Sequence, residues 1–527
     1  MPRILYVTSA LEEWIDVARM MRSQRSWEPV YWVTVRGNRD LVREAFPDCI
    51  NHWFMDAVRG IPAPELAGLA VPALDVESLT RLRYHQSVAI QMMDRLDSGS
   101  AFAYRERLRH YHRLLQYWTA VLDSVAPDLA VFASTPHLVT DYVLYAVCRT
   151  RRVHTLILTP TALPHTVMLR EDIDSPPLRL ESSQPQVHGQ DVPRAQAAVE
   201  AHLSRLRGDY EDAIPDYMLR VADSHRRPQA YGRHRLSKLL RIDRYPRYAR
   251  STIQFIASLP SRQRARREVH GYCYLKIPEV RYEDSWMTHE QIEAYRRTAK
   301  VGLARLAQAY RDACSRSAAP ADAPYVYMPL HYQPERTTCP EGGDFSRQYL
   351  LAHMLSENLP EGWVLRVREH PSQLTTVLAG NQGRSPDDYE DFISLPCVHL
   401  VRLGESPFGL IDGARAVVTV SGTAGWEAVV RGKPAVVFGT PWYSRCPGVY
   451  RVSTAGALRD VLADIRQGAD PSQEAVNTFA VDCWLNGYRA DLNRDDSSAL
   501  SRAANGRGLA RALTRFDDEL LGGWAAG

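Results

Sequence analysis

The sequence predicts an α/β fold built from two Rossmann-type domains. In two stretches, short β-branched runs alternate with amphipathic helical segments, a pattern typical of a parallel sheet covered by helices. The first stretch begins with the strand at residues 3–8 (RILYVT) and predicts an N-terminal domain over 1–180. The second predicts a C-terminal domain over 321–465. A linker and basic helical region, 181–320, separates the two domains, and a helical tail follows at 466–527.

The composition is that of a globular protein and excludes several classes. The chain has 527 residues, 45% of them apolar and 24% charged, and a net charge of +3, so overall charge does not favour nucleic acid as a partner. Apolar runs stay short of the ~20 residues that span a bilayer, and the N-terminus lacks the layout of a signal peptide. The eight cysteines are scattered and form no CxxC pair, which predicts reduced thiols in the cytoplasm.

The first domain is predicted element by element from its apolar pattern. An amphipathic segment follows the first strand, and a long region among Arg, His and Gln has helical spacing. The predicted elements are a strand at 3–8, a helix at 11–22, a strand at 29–35, helical structure over 79–121, a strand at 127–133, a helix at 139–148 and a strand at 155–158.

The second domain ends in a clear βαβ unit. A β-branched run at 417–420 leads into a turn of small residues, an apolar helical run at 426–430, and a second strand at 435–438 after Gly-Lys-Pro. Before this unit, the pattern predicts a helix at 291–316, a strand at 325–330, a helix at 348–356 and strands at 363–367 and 398–401.

Local charge is concentrated in one segment. Residues 226–267 contain thirteen Lys or Arg and one acidic residue, with leucines, tyrosines and a phenylalanine between them. One interpretation is contact with an anionic membrane surface. The alternatives are a solvated helical face or a basic wall around an anionic substrate. No nucleic-acid-binding motif accompanies the segment, so nucleic acid is not the expected partner.

The turn at 421–425 (SGTAG) is the first candidate binding site. It follows a strand and opens a helix, so its free N–H groups, the Ser421 and Thr423 hydroxyls and the helix dipole suit a phosphate. The alternative is that Gly422 and Gly425 serve only the turn.

Two other strand ends carry polar residues. The strand at 325–330 delivers His331, Gln333 and Glu335, and the strand at 363–367 leads to Arg368 and His370, where Pro371 prevents its continuation. Because the carboxyl ends of parallel strands lie at one edge, the three strand ends are expected to form one cleft.

These residues resemble a known family, the bacterial capsule polysaccharide biosynthesis proteins, which include Kdo transferases. The similarity lies in His331 with Glu335, in the Arg-Glu-His-Pro run at 368–371, and in the SGTAGWEA run at 421–428 with Gly-Lys-Pro at 432–434 and Tyr443. It covers mainly residues 325–445. His331 and Glu335 stand where family members carry Gln and Asp, which leaves the donor sugar open.

The resemblance implies a GT-B glycosyltransferase, with two Rossmann-type domains facing a cleft, the donor held by the second and the acceptor by the first. The donor would be a CMP-activated ulosonic acid such as Kdo, and neither a metal nor another cofactor is expected. The donor site is predicted to consist of His331, Gln333, Glu335, Arg368, His370, Ser421, Gly422, Thr423, Glu427 and Tyr443.

The groups that form the new glycosidic bond are expected in the first domain, across the cleft from the donor site. Glu171 and Asp172 resemble an acidic pair of the Kdo transferases, and a retaining reaction would need such a pair; they are equally consistent with ordinary loop acids. His137, in a loop after a strand, is a second candidate for activating the acceptor. His370 is expected to supply a donor or positive charge as the leaving group departs.

The resulting hypothesis is a cytoplasmic enzyme, peripheral to the inner face of the membrane, that transfers sugar from a nucleotide donor to a surface polysaccharide or glycolipid. Two alternatives stay open. A nucleotide-sugar 2-epimerase shares the architecture and a similar turn, and would act without an acceptor. A non-catalytic glycan assembly or export factor would bind glycan but transfer nothing.

Overall fold

The structure is a computed structural model. It describes residues 1–9, 11–35, 38–95, 103–178, 191–213, 289–374, 383–492 and 499–521. The basic segment 226–267, for which a membrane contact is one of the interpretations given above, lies outside the described residues.

Over the described residues, the first sheet has seven strands in the order β13-β6-β5-β4-β1-β2-β3, with the bounds given below. Strands β1 to β5 are parallel, and β6 pairs with β5 in the antiparallel direction. The elements from this part of the chain are β1 (Arg3–Val7), α1 (Glu13–Arg25), β2 (Glu28–Thr34), α2 (Arg39–Ala45), β3 (Ile50–Trp53), α3 (Phe54–Arg59), α4 (Val76–Arg81), α5 (Arg83–Met92), α6 (Tyr104–Val125), β4 (Leu129–Phe132), α7 (Val139–Arg151), β5 (His154–Pro160), β6 (Thr166–Arg170), α8 (Asp191–Arg207) and α9 (Tyr210–Ala213).

Within the ranges that the structure describes, the second sheet has six strands, all parallel, in the order β12-β11-β10-β7-β8-β9. Its elements are α10 (His289–Arg316), β7 (Tyr325–Pro329), α11 (Gln348–Ser356), β8 (Val364–Arg368), α12 (Pro386–Ser394), β9 (Val398–Leu400), α13 (Pro407–Gly413), β10 (Ala416–Thr419), α14 (Thr423–Val430), β11 (Ala435–Val437), β12 (Val449–Arg451), α15 (Ala455–Arg466), α16 (Gln473–Asn486), β13 (Tyr488–Arg489) and α17 (Arg502–Leu520). Two Rossmann-type domains of a GT-B-like α/β fold are therefore present.

Each sheet is buried on both faces, which explains its apolar strands. Every residue of β10 is buried, with Ala416 and Val418 in the core on one face and Val417 in the core on the other. Strands covered on both sides read as continuous apolar runs, since neither face meets water.

The chain after α16 returns to the first domain. β13 adds to the first sheet by antiparallel pairing with β6. α17 then packs on α1, where Leu513 and Phe516 join the same core as Trp14, and Arg502 pairs with Glu12. This docking agrees with the amphipathic pattern of the tail.

The loop after β7 connects the two domains directly. Cys339 is buried in the core of the first domain, and the Ser346 hydroxyl donates to Gln91 Oε1 (2.9 Å). The Thr135 hydroxyl donates to Glu341 Oε1 (2.7 Å). The carboxyl edge of the second sheet therefore faces the first domain across these contacts.

In the described ranges, no helix is both long and apolar enough to cross a membrane. Seven cysteines lie in these ranges, each as a free thiol.

Candidate functional site

Three polar strand ends lie side by side at one edge of the second sheet. β7 lies between β10 and β8, and the three strands are parallel. The loops after Pro329, Arg368 and Thr419 therefore leave the sheet at the same edge, where open α/β sheets bind ligands. The expected convergence is confirmed.

The turn between β10 and α14 presents backbone N–H donors that have no acceptor among the described residues. Gly422 is the N-cap of α14, and its own N–H donates to Thr419 Oγ1 (3.2 Å). The N–H groups of Thr423 and Ala424 come in the first turn of the helix, where no acceptor exists within the helix. The Thr423 side chain is exposed. These donors and the positive end of the helix dipole form a site suited to phosphate.

Gly422 is required at the N-cap because the His331 ring packs against it. A Cβ atom at Gly422 would lie 2.9 Å from His331 Cε1 and 3.0 Å from Thr419 Oγ1. Both neighbours are buried and hydrogen-bonded, so neither can move aside at low cost.

Hydrogen bonds fix the tautomer of His331. The Val420 N–H can only donate, so Nε2, 3.3 Å away, accepts, and it accepts also from the Thr419 hydroxyl (2.8 Å). Nδ1 then carries the proton and donates to Thr337 Oγ1 (3.0 Å), whose hydroxyl donates to Glu335 Oε2 (2.8 Å). Burial lowers the pKa of His331 to about 3, so the ring is neutral at pH 7. The ring thus connects the turn to the Glu335 carboxylate.

Two further predicted ligands are engaged inside the protein. The Ser421 hydroxyl donates to the Thr337 carbonyl oxygen (2.6 Å), and the buried Tyr443 hydroxyl donates to the Gly422 carbonyl oxygen. A Cβ atom at Gly425 would lie 2.4 Å from the Tyr443 hydroxyl, so glycine allows this ring to approach. Both hydroxyl groups therefore hold the turn in place. Direct contact of either hydroxyl with the nucleotide-sugar substrate stays a prediction.

Gln333 is also held by internal bonds. Its N–H and carbonyl groups pair with the side-chain amide of Gln373, at 2.7 and 3.0 Å. Its own amide nitrogen donates to Thr338 Oγ1 (2.6 Å), and the residue is 7% exposed. Gln333 therefore shapes the loop after β7.

The segment that follows β8 contributes a buried ion pair and a partly exposed histidine to the site. Glu369 is fully buried and accepts from Arg384 Nε (2.9 Å) and from the Tyr389 hydroxyl (2.8 Å). Arg384 also donates to the His331 carbonyl oxygen (3.4 Å), which ties the two strand ends together. Arg368 donates to the Leu403 carbonyl oxygen (2.7 Å).

His370 is a neutral hydrogen-bond donor in this structure. Its Nδ1 accepts the Ser372 N–H (3.1 Å), so the neutral ring carries its proton on Nε2. Burial, followed by the positive charge of Arg368, lowers the pKa of His370 to about 4. The neutral ring can therefore act as the expected hydrogen-bond donor. A positive charge on the ring would require a bound anion, because burial favours the neutral form.

Glu427 is the acidic residue closest in sequence to the turn. Its Oε1 accepts from the Thr423 hydroxyl (3.2 Å). Burial raises the pKa of Glu427 to about 6, although the Thr423 hydrogen bond and the charge of Arg431 oppose the shift. The carboxyl group therefore titrates just below neutral pH, next to the helix N-terminus.

The acidic candidates of the first domain lie at the domain junction. Asp172 accepts from the Tyr145 hydroxyl (2.9 Å) and from the Asp174 N–H (2.9 Å), and pairs with Arg149 (3.0 Å). Glu171 is partly exposed, and its carbonyl oxygen accepts from Thr155.

Asp174 links this acidic loop to the second domain. Its carbonyl oxygen accepts from the Thr440 hydroxyl (3.0 Å), in the loop after β11. β11 is the neighbour of β10, whose end carries the candidate phosphate site.

His137 lies in the loop after β4. Its Nδ1 lies 2.7 Å from the Thr135 carbonyl oxygen, which can only accept, so Nδ1 carries a proton and Nε2 of the neutral ring has the lone pair. The Thr135 hydroxyl contacts Glu341 of the second domain, which places this loop at the junction.

The structure therefore links His331, Glu335 and the turn after β10 through hydrogen bonds, and Glu171, Asp172 and His137 belong to the other domain. Among the described residues, Arg368 bonds instead to the Leu403 carbonyl oxygen. Sequence reasoning missed Thr337, Thr419 and Arg384, which complete the network around the turn. No local signal identifies them, since Thr337 and Arg384 act through contacts between separate loops.

The sequence model of the capsule polysaccharide biosynthesis protein family matches residues 261–463. This match confirms the resemblance found in the motifs of the second domain. No curated protein matches the chain at a significant level.

Solved structures give weak likenesses. The beta Kdo 2,7 transferase of Thermosulfurimonas dismutans KpsC is 16% identical with a TM-score of 0.23, covering 42% of this chain and 67% of that chain. The beta Kdo 2,4 transferase of the same protein is 18% identical with a TM-score of 0.20, covering 37% and 64%. The UDP-GlcNAc 2-epimerase of Neisseria meningitidis is 11% identical with a TM-score of 0.20, covering 99% and 100%. At TM-scores this far below 0.5, these likenesses carry no argument about activity.

Proposed function

We propose that this protein is a GT-B glycosyltransferase that transfers a sugar from a nucleotide donor to a surface polysaccharide or glycolipid. The match of residues 261–463 to the capsule polysaccharide biosynthesis protein family supports this role. The observation that carries the proposal is the turn at the end of β10, where the free N–H groups of Thr423 and Ala424 open a helix at the edge of a parallel sheet. The favoured donor is a CMP-linked ulosonic acid such as Kdo, and the transfer is proposed to need neither a metal nor another cofactor.

In this proposal the donor phosphate binds the N–H groups of Thr423 and Ala424. The Thr423 hydroxyl adds a donor once it leaves Glu427, and the His370 Nε2–H stabilises charge on the departing phosphate. Ser421 and Tyr443 act indirectly, because their hydroxyls fix the turn.

His331 also acts indirectly. Its neutral ring accepts from the Val420 N–H and donates toward Glu335 through Thr337, so it holds the backbone of the turn before the ligand arrives. Donors held in place before binding lose less entropy when the ligand binds than mobile donors do.

On the acceptor side, the hydrogen bonds favour His137 over Asp172 as the base. Asp172 already accepts from a tyrosine hydroxyl, an arginine and a backbone N–H, so its carboxylate oxygens are engaged inside the protein. His137 holds its proton on Nδ1, so Nε2 of the neutral ring is the basic atom that takes a proton from an acceptor hydroxyl. Glu171 is the other carboxylate candidate on the acceptor side.

Calorimetric titration of the full chain with CMP, CDP, UDP and GDP tests the donor assignment. We expect CMP to bind more tightly than the others, and CMP-Kdo to be consumed faster when a glycan acceptor is added. Binding of none of the four nucleotides would remove the donor site. Conversion of UDP-GlcNAc without an acceptor would instead establish an epimerase.

A further inference from the structure

One face of α6 carries three arginines that form no ion pair with any residue that the structure describes. Arg105, Arg109 and Arg113 recur every four residues, and all three are exposed. Residues four apart lie on the same face of a helix, so the three guanidinium groups form a row about 12 Å long. The opposite face of α6 is fixed in the core of the first domain, where Tyr111 and Leu114 are buried. The row therefore faces solvent.

The acidic groups close to this row leave its charge in place. The Glu106 carboxylate accepts from the Ala103 N–H (2.9 Å) at the start of the helix, and Asp94 pairs with Arg107 (2.6 Å). Glu65, in the loop after α3, is exposed and makes no ion pair with the row. Like charges four residues apart destabilise a helix, so the row does not serve the fold. Its charge favours an anionic partner.

An exposed apolar loop lies beside the row. Residues 67–74 (AGLAVPAL) carry no charge, and Val71 is 50% exposed. The Gln116 side chain lines the same surface depression as the three arginines, and its amide donates to the Pro72 carbonyl oxygen (2.9 Å), which fixes the loop against α6. At the other end of the row, Tyr104 is 64% exposed. The α6 surface consists of Tyr104, Arg105, Arg109, Arg113 and residues 67–74.

The α6 surface lies close to the second domain. The Arg107 side chain donates to the Ile90 carbonyl oxygen (3.4 Å), so α5 contacts α6 on the side of the row's first turns. In α5, Gln91 accepts from the Ser346 hydroxyl of the second domain (2.9 Å). One helix therefore separates this surface from the junction of the two domains.

We propose that the α6 surface docks the protein on an anionic phospholipid bilayer. Guanidinium groups form paired hydrogen bonds with phosphates, and a negative lipid surface attracts basic side chains. The exposed side chains of Val71 and Tyr104 suit the headgroup region, where tyrosine is enriched. A second copy of the chain fits poorly, because a two-fold interface would bring two rows of like charge together.

The docking deepens the proposed function, on which it rests in one respect. A bilayer at the α6 surface lies next to the first domain, which is the domain proposed to hold the acceptor. A glycolipid acceptor embedded in that bilayer would then reach the cleft without leaving the membrane. The attraction of the surface for anionic lipid follows from its own residues and needs no assumption about the reaction.

Cosedimentation of the full chain with lipid vesicles tests the docking. One set of vesicles contains phosphatidylglycerol and phosphatidylcholine in equal parts, the other phosphatidylcholine alone, and no nucleotide or acceptor is added. We expect the neutral vesicles to bind at least about tenfold more weakly. Raising the salt from about 0.1 M to about 1 M should release the chain, because the screening length falls from about 10 Å to about 3 Å. Equal binding to both vesicles, or binding to neither, would overturn the proposal.

Substitutions assign the binding to α6. The triple variant combines Arg105→Gln, Arg109→Gln and Arg113→Gln. Each arginine at an anionic surface strengthens partitioning about fivefold, so the triple variant should bind the mixed vesicles about 10²-fold more weakly. If the triple variant does not fold, the pair without Arg113→Gln decides, with an expected loss of about thirtyfold. Unchanged binding in a folded variant would place the lipid contact elsewhere in the chain and refute the role of α6.

A matched control removes the same charge from exposed positions outside the first domain. It combines Arg305→Gln, Arg415→Gln and Arg466→Gln. We expect the control to keep nearly all of its binding to the mixed vesicles, because these arginines lie away from the α6 surface. A loss equal to that of the α6 variant would show that net charge alone drives binding and would overturn the assignment.

Two further titrations separate this surface from a small-anion site and from the donor site. Saturable binding of inorganic phosphate that is lost in the triple variant, without any vesicle binding, would replace the bilayer by a small anion. CMP binding is expected to be equal in wild type and in the triple variant. Failure of wild type to bind CMP would refute the donor proposal and leave the vesicle result unaffected, so the two proposals fail independently.

Discussion

Removing the Tyr443 hydroxyl tests whether the turn is held in advance of binding. Tyr443 is 1% exposed, and its hydroxyl donates to the Gly422 carbonyl oxygen at the N-cap of α14. Tyr443→Phe keeps the ring and its packing against Gly425. It deletes the hydrogen bond to the Gly422 carbonyl group and leaves this partly buried carbonyl without that donor.

The expected magnitude follows from that single bond. Its loss costs about 1 kcal/mol, and the carbonyl left behind raises the total to about 1–2 kcal/mol in the free energy of unfolding. In a domain of this size, each kcal/mol corresponds to about 2–4 °C in thermal midpoint. If half of this energy serves to hold the turn for the phosphate, the CMP dissociation constant rises about two- to fivefold.

The assay combines differential scanning calorimetry with a CMP titration. Thr423→Val is the comparison, because Thr423 is exposed and its substitution should change stability by less than about 0.5 kcal/mol while removing a hydroxyl that faces the ligand. We expect Tyr443→Phe to lose both stability and affinity, and Thr423→Val to lose affinity alone. Full stability with abolished CMP binding in Tyr443→Phe would refute the indirect role and make this hydroxyl a ligand contact.

Three further predictions concern ionisable side chains of the second domain. The pKa of Glu427 is raised from 4.5 to about 6, so the folded protein favours the protonated acid. Wild type therefore loses stability as pH rises from 4.5 to 6. Glu427→Gln should flatten that part of the plot of unfolding free energy against pH, and an unchanged slope would contradict burial as the cause. His370→Ala should lower CMP-Kdo turnover by about 10²- to 10³-fold with little change in thermal midpoint, and undiminished turnover would remove His370 from the site. Glu369→Gln breaks a buried ion pair and should lower the free energy of unfolding by about 3–5 kcal/mol, measured by chemical denaturation. Arg316→Gln, in an exposed pair, should lower it by at most about 1 kcal/mol. Equal losses in the two variants would contradict the argument from burial.

Much of the fold could be predicted from the sequence because its strands are short apolar runs with clear ends. The helix at 348–356 was predicted with the bounds that the structure shows, and the ends of β7, β8 and β10 were placed within one residue. These elements follow from local patterns, because a strand buried on both faces must be apolar along its whole length.

Elements that depend on distant contacts could not be predicted in this way. β13 is two residues long and exists because it pairs with β6, more than 300 residues earlier. β6 itself runs antiparallel to β5, whereas the pattern predicted only parallel strands. Neither strand has an apolar run long enough to show in the sequence.

The candidate site, too, was predictable only where it follows from local sequence. The SGTAG turn and the convergence of His331 with His370 at one edge followed from strand order and loop composition. The direction of each hydrogen bond did not, because it depends on which side chain a hydroxyl meets. Ser421 meets the Thr337 carbonyl oxygen, so a residue selected as a phosphate ligand forms an internal bond.

A crystal structure of the full chain with bound CMP tests the central claim most directly. The account predicts that the phosphate oxygens accept from the N–H groups of Thr423 and Ala424, while the Ser421 and Tyr443 hydroxyls still donate to Thr337 and Gly422. A phosphate bound away from the N-terminus of α14, or one contacted by the Ser421 and Tyr443 hydroxyls after their internal bonds had broken, would contradict it.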